Sequence, residues 1–142
     1  MISTQQPEDF SARFEVVSCF IEQPGGKILI LLRLPHKSEG GKWGPPAGKV
    51  EPDESLESAI IREAQEETGI SLQDPVLFET YCVRYLEYDF LYHVFHTTTP
   101  ADTLVRISPT EHQDFRWVTP KEALELELVT HQDDCTRFFY FP

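Results

Sequence analysis

Apolar residues along the chain fall into runs of two periods, and the runs predict most of its elements. Lys27 to Leu34 is almost continuously aliphatic, as expected of a strand covered on both faces. Phe14 to Ile21 reads as the strand before it, with Pro24-Gly25-Gly26 as the turn between them. Val76 to Leu86 and Tyr88 to Thr98 are rich in aromatic and β-branched residues and predict two further strands. Leu104 to Ile107 and Asp114 to Val118 read as shorter ones. Pro35 to Ala47, rich in Gly and Pro, is a long loop, and residues 1–11 are polar and read as a loose N-terminus.

Helical signals are confined to three places. Ser55 to Thr68 has apolar residues at helical spacing, Asp53 or Ser55 as N-cap, and Gly69 where a left-handed residue closes a helix. Thr119, Pro120 and Glu122 occupy the N-cap, first and third positions of a second helix. Asp133 to Tyr140 reads as a short third one. This order predicts an α/β fold, a mixed sheet between helical layers, in a single domain over residues 1–142.

The first helix carries an anomaly. Positions 56, 59, 60, 63, 66 and 67 form one stripe at the i, i+3, i+4, i+7 spacing. It begins as Leu56, Ala59 and Ile60 and ends as Glu63, Glu66 and Glu67. Stacked like charges destabilise a helix by about 0.2–0.5 kcal/mol per pair. These also lie toward the negative end of the helix dipole. A divalent cation in front of the face resolves both conflicts. Carboxylate oxygens suit Mg2+, or Mn2+, and Mg2+ keeps positions for water and substrate phosphate. The stripe therefore predicts an oxygen-ligated metal site that handles phosphate esters or anhydrides.

Charge sharpens this picture. The net charge of −12 is unfavourable for nucleic-acid backbones and anionic membrane surfaces. Yet Lys27, Arg33, Lys37, Lys42 and Lys49 face only Glu39 over that stretch. A basic segment thus precedes the acidic helix, suited to hold phosphate charge that a bound cation leaves uncompensated. Hydrophobic residues at 40% and charged residues at 25% fit a globular domain. Cys19, Cys82 and Cys135 form no paired motif and read as small core residues in a reducing cytoplasm. No signal segment is read at the N-terminus, and the longest apolar run is far short of a membrane span.

The acidic helix lies within the pattern G-x5-E-x7-R-E-U-x-E-E-x-G-U, where U is aliphatic. Gly48, Glu54, Arg62, Glu63, Glu66, Glu67 and Gly69 occupy its fixed positions, with Ala64 and Ile70 in the aliphatic ones. This resembles the signature of the Nudix hydrolases. Trp43-Gly44-Pro45-Pro46-Ala47-Gly48 resembles the family's Trp-x-x-Pro-Gly-Gly lead-in, with Ala47 in place of a common Gly. Thr110-Glu111-His112, followed by Arg116-Trp117-Val118, resembles the late strand of many members.

The resemblance implies an α/β/α sandwich and metal-dependent hydrolysis of a nucleoside diphosphate linked to another moiety. It implies a metal held by Glu63, Glu66, Glu67 and the carbonyl of Ala47. Arg62 would orient a glutamate, Glu54 would support it, and Gly48 would allow close packing of loop on helix. Glu63 or Glu111 would act as general base. Arg33 resembles a phosphate-contacting arginine of the family, Lys49 is a further phosphate contact, and Trp43 is a candidate base-stacking residue. A (deoxy)nucleoside triphosphate is the favoured substrate, and a small-molecule nucleotide the expected partner. Dinucleoside polyphosphates, with Tyr85 or Tyr88 in contact, and a non-catalytic nucleotide sensor are the alternatives. The proline that marks many ADP-ribose hydrolases is missing between Val76 and Thr99. The oligomeric state stays open, a homodimer among the options.

Overall fold

The computed structural model describes residues 1–142. In chain order its elements are β1 (Ile2–Ser3), β2 (Ala12–Gln23), β3 (Lys27–Arg33), β4 (Trp43–Gly44), β5 (Ala47–Lys49), α1 (Leu56–Thr68), β6 (Val76–Tyr85), β7 (Tyr88–Thr98), β8 (His112–Val118), α2 (Pro120–Ala123) and α3 (Gln132–Tyr140). One mixed sheet runs β1-β6-β7-β2-β3-β4, with β5 added to β2 and β8 to β3. The β2–β7 pair is parallel from Ala12↔Asp89 to Glu22↔Thr98, and the other pairs are antiparallel.

Alternation along β2 and β3 explains the two helical layers. Val17, Cys19 and Ile21, with Leu29 and Leu31, pack with Ala59, Ile60 and Ala64 of α1. Phe20, Ile28 and Ile30 join the other core with Ala123 of α2 and Cys135 of α3. Both faces of these strands are covered, so their sequence reads as a continuous apolar run rather than an alternating one. All three cysteines are buried and free. Ile60 is fully buried, and Ile60→Ala should lower unfolding free energy by about 2–5 kcal/mol in denaturant titrations.

One topological detail positions the site. Strands β2 and β3 pair only beside their turn, at Glu22↔Ile28 and Gln23↔Lys27. Beyond that they diverge, and β5 fills the opening, pairing Val16↔Lys49, Val17↔Gly48 and Ser18↔Ala47. The Gly48 segment is thus fixed in the sheet, facing α1.

Helix α1 has the caps its sequence provides. Ser55 is the N-cap, its hydroxyl accepting from the Ser58 N–H at 3.1 Å, while Asp53 sits in the preceding turn at φ 64°. Gly69 closes the helix at φ 73°. The capping box of α2 forms between Thr119 and Glu122.

Three expectations are corrected. Residues 1–11 are not loose, since Ile2 and Ser3 pair with Val83 and Cys82 and Phe10 is buried. Leu104 to Ile107 forms no strand. Val105 and Ile107 pack on the α1 core without a pairing partner, and the Arg106 N–H bonds to the Thr68 carbonyl at 2.8 Å. Strand β8 begins at His112 rather than Asp114, because pairing with β3 extends to Arg33↔His112.

Candidate active site

The apolar stripe of α1 continues from Ile60 through Ala64 to Glu67 and Thr68, all buried. Ala64 has no exposure at all, so its small side chain lets the helix sit close on the sheet. The three acids therefore differ in setting. Glu67 is 8% exposed, Glu63 is held at the helix edge, and the Glu66 side chain is 59% exposed at the rim.

Glu67 points at β5, where its Oε1 accepts the Ala47 N–H at 2.9 Å. Burial pushes its carboxyl up to about 8, against the lowering effect of that hydrogen bond, and the charges of Glu63 and Glu111 add to the rise. Glu63 is raised by the same cause, burial first, with Arg62 opposing and Glu66 and Glu111 reinforcing. Carboxyls driven upward together by burial and by one another make a strongly cation-attracting cluster.

Arg62 organises the flank. Its Nε and Nη2 bind the two oxygens of Glu54 at 2.8 and 2.9 Å. Nη1 donates to Glu63 at 2.9 Å and to Glu66 at 3.4 Å, and Nη2 also reaches the Lys49 carbonyl at 3.1 Å. The Arg62 guanidinium, helped by the Glu51 N–H, holds the Glu54 carboxyl down at about 2. Both Glu54 oxygens are occupied, so Glu54 fixes Arg62 and Arg62 fixes Glu63.

Gly48 faces the same carboxylate. A Cβ at this position would overlap the Glu63 carboxyl carbon and both its oxygens. Only a residue without a side chain lets β5 and Glu63 approach this closely.

An open cavity of about 550 Å³ lies in front of these groups. Its walls carry Glu63, Glu66, Glu67 and Glu111 against Arg33 and Lys49, with Ala47, Gly48, Ser108 and Thr110 between them. The cavity gathers eight of the residues singled out in the sequence. No three acidic, His or Cys side chains converge into a ready ligand set. Glu63 is turned to Arg62 and Glu67 to the Ala47 N–H. The donors nonetheless fit Mg2+ or Mn2+: all are oxygens, and carboxylates predominate.

A second cavity, of about 210 Å³, adjoins the first and shares Arg33 and Ala47 with it. It is lined by Val16, Leu31, Val83, Phe90, Tyr92 and Val129, with Ser38, Glu39, His112, Thr130 and His131 as polar members. Arg33 stands at the junction, its Nε donating to the Ser38 carbonyl at 2.7 Å. His112 is 4% exposed. Burial first, then Arg33, lowers its imidazole to about 4, and its Nδ1 has no hydrogen-bond partner.

Trp43 is not where a base-stacking residue must be. It is 8% exposed, packs in the core under α2 and α3, and lies beneath the Arg116 guanidinium. Backbone bonds to Glu127 and Val129 hold it there. Lys49 lines the acidic cavity, while its ammonium lies 4.4 Å from the centre of the Phe14 ring. Gly69 acts at the far end of α1 as a helix stop. His93 and His96 face opposite sides, bound to Glu15 and Glu22 respectively. The aromatic wall at Phe90 and Tyr92 was unmarked in the sequence. A period-2 aromatic pair was the only signal, and such pairs are common in strands.

A model of the NUDIX domain matches residues 12–139. The chain belongs to the NUDIX family. It is thereby a Nudix hydrolase, an enzyme of phosphoanhydride bonds. It is 35% identical over 115 residues to the CTP pyrophosphohydrolase of Escherichia coli K12, covering 81% of this chain and 82% of that one. It is 28% identical over 123 residues to the nucleoside triphosphatase NudI of Escherichia fergusonii, covering 80% and 86%. Among solved structures it is similar to the MutT protein of Methanosarcina mazei Go1, with a TM-score of 0.80, 29% identity and coverage of 94% and 96%. The Nudix fold accounts for the mixed sheet and for the placement of α1 beside β5. No helix is long and apolar enough to cross a membrane.

Proposed function

We propose that this Nudix hydrolase is a Mg2+-dependent pyrophosphohydrolase of nucleoside triphosphates, ordinary or with a damaged base. One observation carries the reading: an apolar, aromatic-walled cavity opens onto an acid-lined one, and Arg33 stands at the join. A nucleoside triphosphate has that same division, a flat base at one end and a polyanion at the other. The 35%-identical relative is named for pyrophosphohydrolysis of CTP and the 28%-identical one for nucleoside triphosphates, which supports the same class.

Glu63, Glu66, Glu67 and the Ala47 carbonyl would hold Mg2+, which would supply charge neutralisation and a more acidic water. Arg33 and Lys49 contribute the remaining positive charge on the phosphate path. Arg62 keeps Glu63 in one orientation and at close range. Glu63 or Glu111, both on the cavity wall, takes the proton of the attacking water. Phe90 and Tyr92 offer an apolar surface for the base. Water adds to phosphorus, the bridging P–O bond breaks, and the leaving pyrophosphate carries the displaced oxygen.

The test is a substrate panel with Mg2+ or Mn2+: nucleoside triphosphates, oxidised nucleotides, dinucleoside polyphosphates and nucleotide sugars, with products separated by chromatography. Nucleoside monophosphate and pyrophosphate in equal amounts are expected, from triphosphates first. Orthophosphate with a nucleoside diphosphate, or turnover confined to another class, would overturn the assignment.

A further inference from the structure

The apolar cavity contains one acid. Glu39 stands on the loop between β3 and β4, at φ 53°, a left-handed backbone that residues with a Cβ rarely adopt. Its Oε1 accepts the Thr130 N–H at 2.8 Å and the Thr130 hydroxyl at 2.5 Å, across 91 residues of chain. That one oxygen ties together the two loops forming the outer wall of the cavity. Lys42 approaches the same oxygen, at 3.8 Å. The second oxygen, Oε2, makes no hydrogen bond.

His112 Nδ1 has no partner, but Tyr92, His131 and Arg33 are engaged elsewhere. The Tyr92 hydroxyl donates to Gln132 at 3.2 Å, and His131 Nδ1 lies 3.0 Å from Asp134. Arg33 Nε is held by Ser38. Oε2 of Glu39 is therefore a free charged acceptor on this lining, where His112 Nδ1 also lacks a partner. An ionised carboxylate accepts hydrogen bonds and donates none. An amino group on a base satisfies it, whereas a carbonyl oxygen in the same place is repelled and leaves both groups unpaired.

Resting on the assignment of this cavity to the base, we propose that Glu39 is a specificity-determining residue, selecting a base with an exocyclic amino group over its oxo counterpart. Cytosine against uracil, and adenine against hypoxanthine, are the matched pairs, equal in ring size and different at that group and at the adjacent ring nitrogen, an acceptor in the amino base and an N–H in the oxo one.

The experiment compares wild type with Glu39→Gln. The amide keeps one oxygen for the Thr130 contacts and replaces the other with an N–H2 donor. Calorimetry of CMP and UMP binding is paired with kcat/KM for CTP, UTP, ATP and ITP. Wild type should favour the amino member of each pair by about 10- to 100-fold, the range for a hydrogen bond to a charged group. Glu39→Gln should reduce that ratio at least about tenfold, weakening the amino member and improving the oxo one. An unchanged ratio overturns the proposal, as does a wild type that favours the oxo base. So does an equal loss on both members, which would reduce Glu39 to a tie between loops. The binding arm does not need turnover. Amino selectivity that Glu39→Gln removes, without hydrolysis of any triphosphate, would uphold Glu39 and overturn the proposed activity. Hydrolysis with no such selectivity would do the reverse.

Discussion

Glu67→Gln should remove turnover and leave the fold in place. The side chains are nearly the same size, and a Gln oxygen still accepts the Ala47 N–H that Glu67 accepts at 2.9 Å. What is lost is a titratable carboxyl, 8% exposed beside Glu63 and Glu111, whose ionised form burial disfavours. At neutral pH a carboxyl raised to about 8 must take up a proton on folding, which disfavours the folded state, so the variant should melt at or above the wild-type temperature without metal. With metal the order reverses. A ligand at 100 times its Kd stabilises by about 2.7 kcal/mol, and this Mg2+-dependent gain should vanish in the variant. Losing a partner that only orients a metal ligand costs about 10–100-fold, so losing a ligand should lower kcat by more than about 100-fold. Steady-state rates and melting curves, each with and without Mg2+, check the two halves. Turnover at the wild-type rate would remove Glu67 from the metal site.

Gly48→Ala should be nearly as damaging, for a purely steric reason. The added methyl overlaps the Glu63 carboxylate. Glu63 cannot retreat freely, because Arg62 holds it at 2.9 Å and is itself clamped by Glu54. Either β5 moves out of register with β2 or the carboxylate shifts. A misplacement of about 1 Å at a reacting centre costs about 100-fold in rate, while overpacking costs about 1–3 kcal/mol of stability. The expected signature is a fall of that size in kcat/KM, together with weaker Mg2+ dependence, in a protein that still unfolds cooperatively. A change in denaturation midpoint with unaltered kinetics would place Gly48 in the framework alone.

Several of these features were legible in the sequence because they are local. Ser55, Gly69 and the spacing of Leu56, Ala59 and Ile60 define α1 within 15 residues, and Thr119 to Glu122 define the start of α2. The anomaly of Glu63, Glu66 and Glu67 on one helix was equally local. What could not be read depends on pairing through space. The divergence of β2 from β3, which admits β5, follows from where the strands separate and not from either sequence. Trp43 was a candidate base-stacking residue beside a Pro-rich loop, yet its backbone bonds to Glu127 and Val129 draw it into the core. Ile2 and Ser3 are ordered by β6, some 80 residues away. The Glu39–Thr130 tie joins two loops, neither of which carries a periodic signal.

The arrangement around Arg62 is economical in physical terms. One guanidinium holds Glu54 well below the usual carboxylate range and opposes the upward push on Glu63. Glu67, farther along the helix, lacks that support and depends on a single N–H from β5. The site therefore grades from a neutralised flank to an acidic centre offset by the charge of Arg33 across the cavity.

Turnover should require a metal bound at this acidic centre. A Mn2+ titration followed by electron paramagnetic resonance, on wild type and on the Glu63→Gln, Glu67→Gln double variant, tests this. Saturable binding displaced by Mg2+ is expected in wild type, and its loss in the folded double variant. Equal Mn2+ binding by both proteins would contradict it.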